Sequence, residues 1–341
     1  MNRKRNPQGV LEGTSHENGM PGAFARHTSN LLAGLGVLPL APVVLIVAAV
    51  LSLTVSGFAT PINLENMARV LAPLLVVATG ATFVILTGGI DLSVGATFGL
   101  ASIVGATVMR DTGSITLGVA AGIAVGMVIG AVNGLAVARL RLTPFVYTLA
   151  MLLTVRAIAF LMSSGYSVGR LPPEATAFGR SALIGIPTLL WIAVFIFASA
   201  LLILHRTVFG RTIYLVGANE RAAIFNAINV KRTIWLVYFL SGTLAGVAGM
   251  LAVLRLGSGA PVLGDNVLLL VIAAIVVGGT SIFGGEGGLW RTLTGVVLVV
   301  MLEKGLDLMG VAFYDQAIII GVVILAGAAL GVRLRRLKGL E

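Results

Sequence analysis

The sequence predicts an all-α polytopic membrane protein with about ten transmembrane helices. Of its 341 residues, 57% are hydrophobic and 11% are charged, and the mean hydropathy is +1.04, whereas soluble domains carry about 25% charged residues. Apolar runs recur along the chain, many of them close to the length of about 20 residues that a helix needs to cross a bilayer. The surplus apolar surface must therefore face lipid.

The apolar runs predict ten spans of alternating direction. Short loops rich in Lys and Arg tend to stay in the cytoplasm, and this tendency places both termini there. We expect residues 1–30 to be a disordered cytoplasmic tail, residues 31–332 to form the membrane domain, and residues 333–341 to be a basic cytoplasmic tail. The spans are predicted near residues 31–58, 70–87, 94–109, 117–138, 145–163, 191–204, 234–254, 267–277, 289–306 and 314–330.

Two stripes of glycine predict places where helices pack closely. Because lipid supplies no hydrophobic drive for helix association, small residues about one turn apart let two helix backbones approach each other. We interpret both stripes as packing seams rather than binding sites. The seams comprise Gly118, Gly122, Gly126, Gly130 and Gly134 in the fourth predicted span, and Gly242, Gly246 and Gly249 in the seventh.

Two glycine pairs interrupt the apolar runs. The first break, TGGIDLSVG, covers residues 87–95, and the second break, GGTSIFGGEGG, covers residues 278–288. Irregular backbone at membrane depth is tolerated only where it is buried in protein or lines a wet cavity. Broken helices in corresponding positions of two halves indicate a transport pathway. The candidate substrate-pathway residues are Gly88, Gly89, Asp91, Ser93, Gly278 and Gly279.

Ionisable residues near membrane depth are few, and each is a candidate for function. For Asp91 two interpretations stay open: capping of the helix after the first break, or direct lining of a polar pathway. We expect Arg156 to be paired or to snorkel towards the membrane surface, and Glu286 to lie at the cytoplasmic mouth of the second break. A further group is predicted at the outer edge, namely Glu303, Lys304 and Asp307.

The long charged loop 205–232 separates two apolar halves. It holds five Lys or Arg residues and one acidic residue, Glu220, which places it in the cytoplasm. Its middle predicts a short helix, because Asn219 can cap the N-terminus, Glu220 complements the helix dipole, and residues 222–225 give an apolar face. Such a helix could pass force to a soluble partner. The simplest alternative is a loop that only sets topology.

The sequence offers little for catalysis or for cofactors. It has no cysteine, and its three histidines, His16, His27 and His205, lie in predicted tails or loops. It contains neither an HExxH metal motif nor a GxxxxGK[ST] phosphate-binding loop. Cytoplasmic loops explain the net charge of +10 better than binding to nucleic acid does. We therefore expect a protein that is not an enzyme and that holds no metal and no cofactor.

Four motifs occur in an order and spacing that resemble one family. They are TGGIDLSVG (87–95), NGLAVARLRLTPFVYTLAML (133–152), GANERAAIFNAINV (217–230) and VVGGTSIFGGEGG (276–288). The chain beyond the N-terminal tail is similar to the permease subunits of bacterial ATP-binding-cassette (ABC) importers for monosaccharides of the ribose, xylose, arabinose and galactose type. The resemblance implies a multi-pass protein of the inner (plasma) membrane that translocates a monosaccharide.

The resemblance also implies partners. These are ABC ATPase subunits inside, which hydrolyse the ATP, a soluble sugar-binding protein outside, and a second permease copy that forms a homodimer or is a related permease. It assigns ATPase docking to loop 205–232, which we call the coupling loop. The implied coupling residues are Gly217, Asn219, Glu220, Ala222, Ala223, Ile228 and Asn229.

Small departures from the family pattern leave the choice of ATPase open. Ala218 precedes Asn219, where many members have Gly, and residues 226–228 read Asn-Ala-Ile, where many have Ser-Gly-Ile. The nearest alternative is a related permease for branched-chain amino acids or nucleosides, which the intact TGGIDLSVG disfavours. An ion-coupled secondary transporter would need carboxylates within spans, and this chain has almost none. An intramembrane enzyme would need a paired base and nucleophile, and the sequence offers no such pair.

Overall fold

The computed structural model describes residues 40–312 and 314–322. The predicted tails 1–30 and 333–341 lie outside these residues, as do the start of the first predicted span and the end of the last. The helices are α1 Ala41–Thr54, α2 Pro61–Leu86, α3 Val94–Thr112, α4 Ile115–Ala138, α5 Pro144–Ser163, α6 Pro173–Arg180, α7 Thr188–Arg206, α8 Val208–Ala218, α9 Glu220–Phe225, α10 Val230–Leu256, α11 Asp265–Val277 and α12 Leu289–Leu308. A hairpin of β1 Ala182–Leu183 and β2 Ile186–Pro187, a 3-10 helix Pro261–Gly264 and helical residues 314–322 complete the described elements.

Within the described part of the chain, five helices are long and apolar enough to cross a membrane: α2, α4, α5, α7 and α10. Shorter apolar helical segments are α1, α8 and residues 261–277, while α3 and α12 have comparable length but carry charged residues towards their ends. The prediction of an all-α polytopic membrane protein is confirmed. The count of about ten spans and the cytoplasmic position of both termini stay predictions.

Helix α2 begins well before the predicted second span. The polar stretch 59–69 lies between the first two predicted spans, but most of it is the start of α2. The side chain of Thr60 accepts a hydrogen bond from the Asn63 amide, and Pro61 occupies the first helical position, where its missing N–H costs nothing. These two residues are a local start signal that outweighs the polarity of the stretch.

Helix α10 lies at the centre of the described fold and packs against α2, α3 and α4. Both predicted glycine seams are confirmed, and they meet each other. A Cβ added at Gly126 would lie 2.3 Å from the Gly242 carbonyl oxygen, and one added at Gly242 would lie 2.5 Å from the Gly126 carbonyl oxygen. The two backbones therefore touch at a distance that no side chain allows.

The segment after α10 is more than a simple connection between the predicted spans 234–254 and 267–277. Residues 257–264 fold back along α3, where the Ser102 hydroxyl lies 3.3 Å from the Ala260 carbonyl oxygen. A Cβ added at Gly264 would lie 1.8 Å from the Gly95 carbonyl oxygen. Small residues on both sides permit this contact, and α11 consequently begins beside the N-terminal turn of α3 rather than beyond the end of α10.

Candidate functional site

Three segments that are far apart in sequence meet at one junction. They are the C-terminal end of α2 with the start of the first break, the tip of the second break, and the end of α8 in the coupling loop. The Gly285 amide donates a 3.0 Å hydrogen bond to the Leu86 carbonyl oxygen. The Tyr214 hydroxyl donates a 3.1 Å hydrogen bond to the Gly287 carbonyl oxygen. The coupling loop thus contacts both breaks.

Glycines make this junction possible. A Cβ added at Gly217 would lie 1.9 Å from the Leu86 carbonyl oxygen and 2.6 Å from the Gly285 nitrogen. Gly284 has a φ of +88° and faces Gly88, so that an added Cβ would lie 2.6 Å from the Gly88 nitrogen. The contacts are backbone against backbone. A displacement of one segment must therefore move the others or break the contact.

The first break is held by a buried polar network. The Asp91 carboxylate accepts hydrogen bonds from the Ser93 amide at 3.0 Å and from the Ser93 hydroxyl at 2.6 Å, and the Ser241 hydroxyl lies 3.4 Å from its second oxygen. Asn133 of α4 donates to the Ser93 hydroxyl oxygen at 2.7 Å. Gly89 lies against the side chain of Tyr238. The network joins the break to α4 and α10.

Asp91 therefore closes a turn around Ser93 rather than capping the amides within α3. Ser93 is the N-cap residue of α3, but its side chain accepts no hydrogen bond from that helix. The Asp91 side chain is buried within the chain. A direct role of its charge in the pathway stays a prediction.

The second break is built differently. Gly278 packs against the Arg291 backbone of α12, and the Arg291 guanidinium donates a 2.9 Å hydrogen bond to the Gly279 carbonyl oxygen. The loop closes on itself through a 3.0 Å bond from the Ser281 amide to the Glu286 carbonyl oxygen. Its tip projects outward, since Phe283 is 81% exposed. Glu286 is exposed on the same loop.

The coupling loop contains two helices, of which only α9 is predicted from sequence. The Asn219 side chain accepts a 2.9 Å hydrogen bond from the Ala222 amide, as its capping prediction requires, and Glu220 lies in the first turn. Helix α8 is not predicted, although Thr207 caps it by accepting a hydrogen bond from the Gly210 amide at 3.1 Å. That cap and the buried stripe of Ile213 and Val216 are the signals that mark α8.

The predicted coupling residues do not share one environment. Ala223 is buried against Val216 and Val230 of the same loop, so it is not free for a partner. Asn219, Glu220, Ala222 and Asn229 are exposed, Ile228 is half-buried, and Gly217 belongs to the junction. Two apolar neighbours outside the predicted coupling set are exposed as well, Ile224 and the 90% exposed Phe225.

Tyr214 ties the coupling loop to the second break as a neutral donor. Burial raises the pKa of the Tyr214 phenol, and nearby Arg291 opposes this shift. The phenol therefore keeps its proton at neutral pH and can donate to the Gly287 carbonyl oxygen.

Three of the remaining ionisable candidates, Arg156, Lys304 and Asp307, form ion pairs. Arg156 pairs with Asp265 at 2.8 Å, which confirms its predicted pairing, and Lys304 pairs with Asp307 at 2.5 Å. Glu303 is half-buried, with the charged groups of Lys304, Asp307 and Arg255 near it. Asp265 is not among the residues predicted from sequence, because it lies between the predicted spans 234–254 and 267–277. Among residues 40–312 and 314–322, no three His, Asp or Glu side chains group to hold a metal.

Comparisons with known proteins identify the family. The family model described as "Branched-chain amino acid transport system / permease component" matches residues 63–327. The ribose import permease protein RbsC of Bacillus subtilis (strain 168) is 38% identical over 287 residues, which cover 84% of this chain and 89% of that protein. The ribose import permease protein RbsC of Escherichia coli (strain K12) is 39% identical, covering 82% of this chain and 89% of that protein.

A third relative names the transporter class. The L-arabinose ABC transporter permease protein AraH of Azospirillum brasilense is 33% identical over 285 residues, which cover 83% of this chain and 84% of that protein. No solved structure matches this chain with statistical significance. The resemblance to monosaccharide permeases is confirmed by these relatives. The chain is a multi-pass membrane transport subunit, not an enzyme, and it belongs to the family of transport-system permease components that the matching model defines.

Proposed function

We propose that this chain is the membrane-spanning permease subunit of an ATP-driven ABC importer in a bacterial inner membrane, and that its substrate is a monosaccharide. The observation that carries the mechanism is the junction at Gly217, where the coupling loop touches the ends of both breaks. Similarity to ribose and arabinose permeases supports the substrate class. The relatives also support assembly with an ATPase and with a soluble sugar-binding protein.

The proposed mechanism runs from the coupling loop to the breaks. An ATPase subunit docks on the exposed side of α9, where Glu220, Ala222, Ile224 and Phe225 face outward. When the ATPases close on ATP, they displace α9 and the end of α8. Because Gly217 is in backbone contact with Leu86 and Gly285, this displacement reaches both breaks together. Alternation between two packings of the spans then opens the path to either side of the membrane.

The breaks themselves are proposed as hinges of the substrate path. Gly88, Gly89, Gly278 and Gly279 provide the flexible or closely packed backbone positions, while Asp91 and Ser93 hold the first break against α4 and α10. A second permease copy completes the path in this proposal.

Reconstitution tests the central proposal. In lipid vesicles the chain alone should neither hydrolyse ATP nor concentrate ribose, whereas the chain with its ATPase and sugar-binding protein should accumulate ribose in an ATP-dependent manner. Uptake by the chain alone, driven by a proton or sodium gradient, would instead support a secondary transporter. Competition of L-arabinose and of leucine with ribose uptake distinguishes a sugar substrate from a branched-chain amino acid, the substrate class that the matching family description names.

Phe225→Ala tests where the ATPase docks. Truncating an exposed aromatic side chain at the centre of an interface should weaken ATPase association about tenfold. Phe195→Ala is the matched control, because Phe195 is comparably exposed but lies on α7, where we expect lipid. Equal ATPase affinity for the two variants would count against docking on α9.

A further inference from the structure

We infer that the face carrying Arg156, Asp265 and Asn266 lines the water-filled path of the transported sugar and binds the hydroxyl groups of that sugar. The ligand identity rests on the proposed function. The location rests on the depth, exposure and chemistry of three side chains that lie outside both breaks and outside the coupling loop.

The depth follows from the helices. Arg156 is in α5, a helix of 20 residues, which at about 1.5 Å per residue is about as long as the hydrocarbon core of a bilayer is thick. Arg156 lies about 18 Å from Pro144 and about 10 Å from Ser163 along the helix axis. Its 2.8 Å ion pair with Asp265 brings the first turn of α11 to the same depth.

A second set of contacts places Asp265 independently. Gly264, the preceding residue, is packed backbone to backbone against Gly95 in the first turn of α3. The stretch before it follows α3 through Pro261 and Ala260. Asp265 therefore begins its helix inside the helical bundle and not at the membrane surface.

This ion pair is open to its surroundings. The side chains of Arg156 and Asp265 are 45% and 33% exposed, and Asn266 beside them is exposed as well. Charged side chains at membrane depth face a bundle interior or a water-filled cavity, because contact with lipid tails is costly. The exposed pair therefore indicates a wet surface in the assembled transporter.

The chemistry of the face suits a neutral polyol. A guanidinium donates, a carboxylate accepts and an amide does both, so that neighbouring sugar hydroxyls find partners of either kind. Charged partners make the stronger hydrogen bonds. The Phe160 ring lies 5.7 Å from the Arg156 guanidinium and adds an apolar surface. The Asp91 carboxylate, by contrast, is buried and already accepts a hydrogen bond from the Ser93 hydroxyl.

Thiol labelling tests the water access, because the chain has no native cysteine. Asn266→Cys in the assembled transporter should react with a charged, impermeant methanethiosulfonate at least tenfold faster than Leu161→Cys. Leu161 is the control because it is 80% exposed on the same helix as Arg156, where we expect lipid. Ribose or L-arabinose should slow the labelling of Asn266→Cys.

Two labelling results would overturn the inference. Equally slow labelling of both variants would mean that lipid or a second copy covers the face. Fast labelling that neither sugar slows would remove the sugar contact. Absence of ATP-driven ribose uptake by the parent transporter would count against the proposed function instead. The comparison of labelling rates would still show whether water reaches the face that carries Arg156, Asp265 and Asn266.

Charge exchange separates sugar binding from a purely structural ion pair. Asp265→Asn should lower ribose uptake about tenfold or more, since a charged hydrogen-bonding partner is lost. The double variant with Arg156→Asp and Asp265→Arg restores the pair and should restore the amount of folded protein, but not uptake, because donors and acceptors are exchanged. Recovery of uptake to the parent level in the double variant would mean that the pair is structural only.

Discussion

Both helix breaks follow an apolar helix and contain two adjacent glycines at or near their start, but they lie in different surroundings. Residues 89–93 belong to a buried network around Asp91, which accepts from Ser93 and faces α4 and α10. The second break, residues 278–288, is held mainly by its own backbone and by Arg291, and its tip exposes Phe283. The same glycine pair thus occurs in a break that buried hydrogen bonds hold in place and in a break that forms an exposed loop.

A glycine pair therefore marks where a helix ends but does not define what the break does. The function of each break follows from its neighbours. The first break has buried polar partners that restrain it, whereas the second has the coupling loop beside it and an open side beyond. The two breaks meet where Gly284 faces Gly88 and where the Gly285 amide donates to the Leu86 carbonyl oxygen, with Gly217 packed against Leu86 and Gly285.

The largest effect is expected from Gly217→Ala, which should separate the coupling loop from both helix breaks. The added Cβ would lie 1.9 Å from the Leu86 carbonyl oxygen, so the backbone must shift, at a cost of about 3 kcal/mol or more. We expect ATP-driven uptake to fall more than tenfold. The control is Gly169→Ala, where an added Cβ has nothing within 4 Å. Parent-level uptake by Gly217→Ala would contradict a tight junction.

Asp91 gives the next largest effect and tests the restraint on the first break. Asp91→Leu leaves the buried Ser93 amide and hydroxyl without their acceptor, and we expect a loss of about 2–3 kcal/mol in stability. Asp91→Asn keeps an acceptor oxygen and should lose about 1 kcal/mol or less. Thermal unfolding of the purified protein measures both. Folded but inactive Asp91→Asn protein would mean that the charge itself serves transport.

Much of this architecture can be predicted from sequence where the signal is local. The glycine seams follow from spacing, the cap at Asn219 from residue type, and both breaks from glycine pairs. The start of α2 is also local, but polarity obscures the Thr60 and Pro61 signal. Such features depend on residues within one or two turns, so that their neighbours in the chain define them.

Long-range contacts could not be predicted in this way. Nothing around Gly217 indicates that it meets Leu86, more than a hundred residues earlier. The burial of Ala223 depends on Val216 and Val230 after the loop has folded. The sequence around Asp265 is typical of a loop, and the helical bundle surrounds this residue only because Gly264 packs against Gly95. In each case the environment comes from a partner element whose position only the tertiary fold supplies.

A moderate effect on partner binding, without loss of stability, is expected from Phe283→Ala. The side chain is exposed at the tip of the second break, next to the coupling loop, so that a docked ATPase should reach it. We expect ATPase association to weaken severalfold, less than for Phe225→Ala, while the unfolding temperature stays at the parent value. ATPase affinity equal to that of Phe195→Ala would show that the exposed side of the second break is not a docking surface.

The smallest effect is expected from Tyr214→Phe, which removes one hydrogen bond between the coupling loop and the second break. The 3.1 Å bond to the Gly287 carbonyl oxygen should contribute about 1 kcal/mol, seen as a slightly lower unfolding temperature and weaker coupling of ATP hydrolysis to uptake. Because burial raises the pKa of Tyr214, the bond is complete at neutral pH and is lost as the pH rises through that raised pKa. The stability difference between parent and variant should therefore be largest near neutral pH and shrink in alkali. A difference that does not change with pH would assign the effect to packing of the phenol rather than to its hydrogen bond.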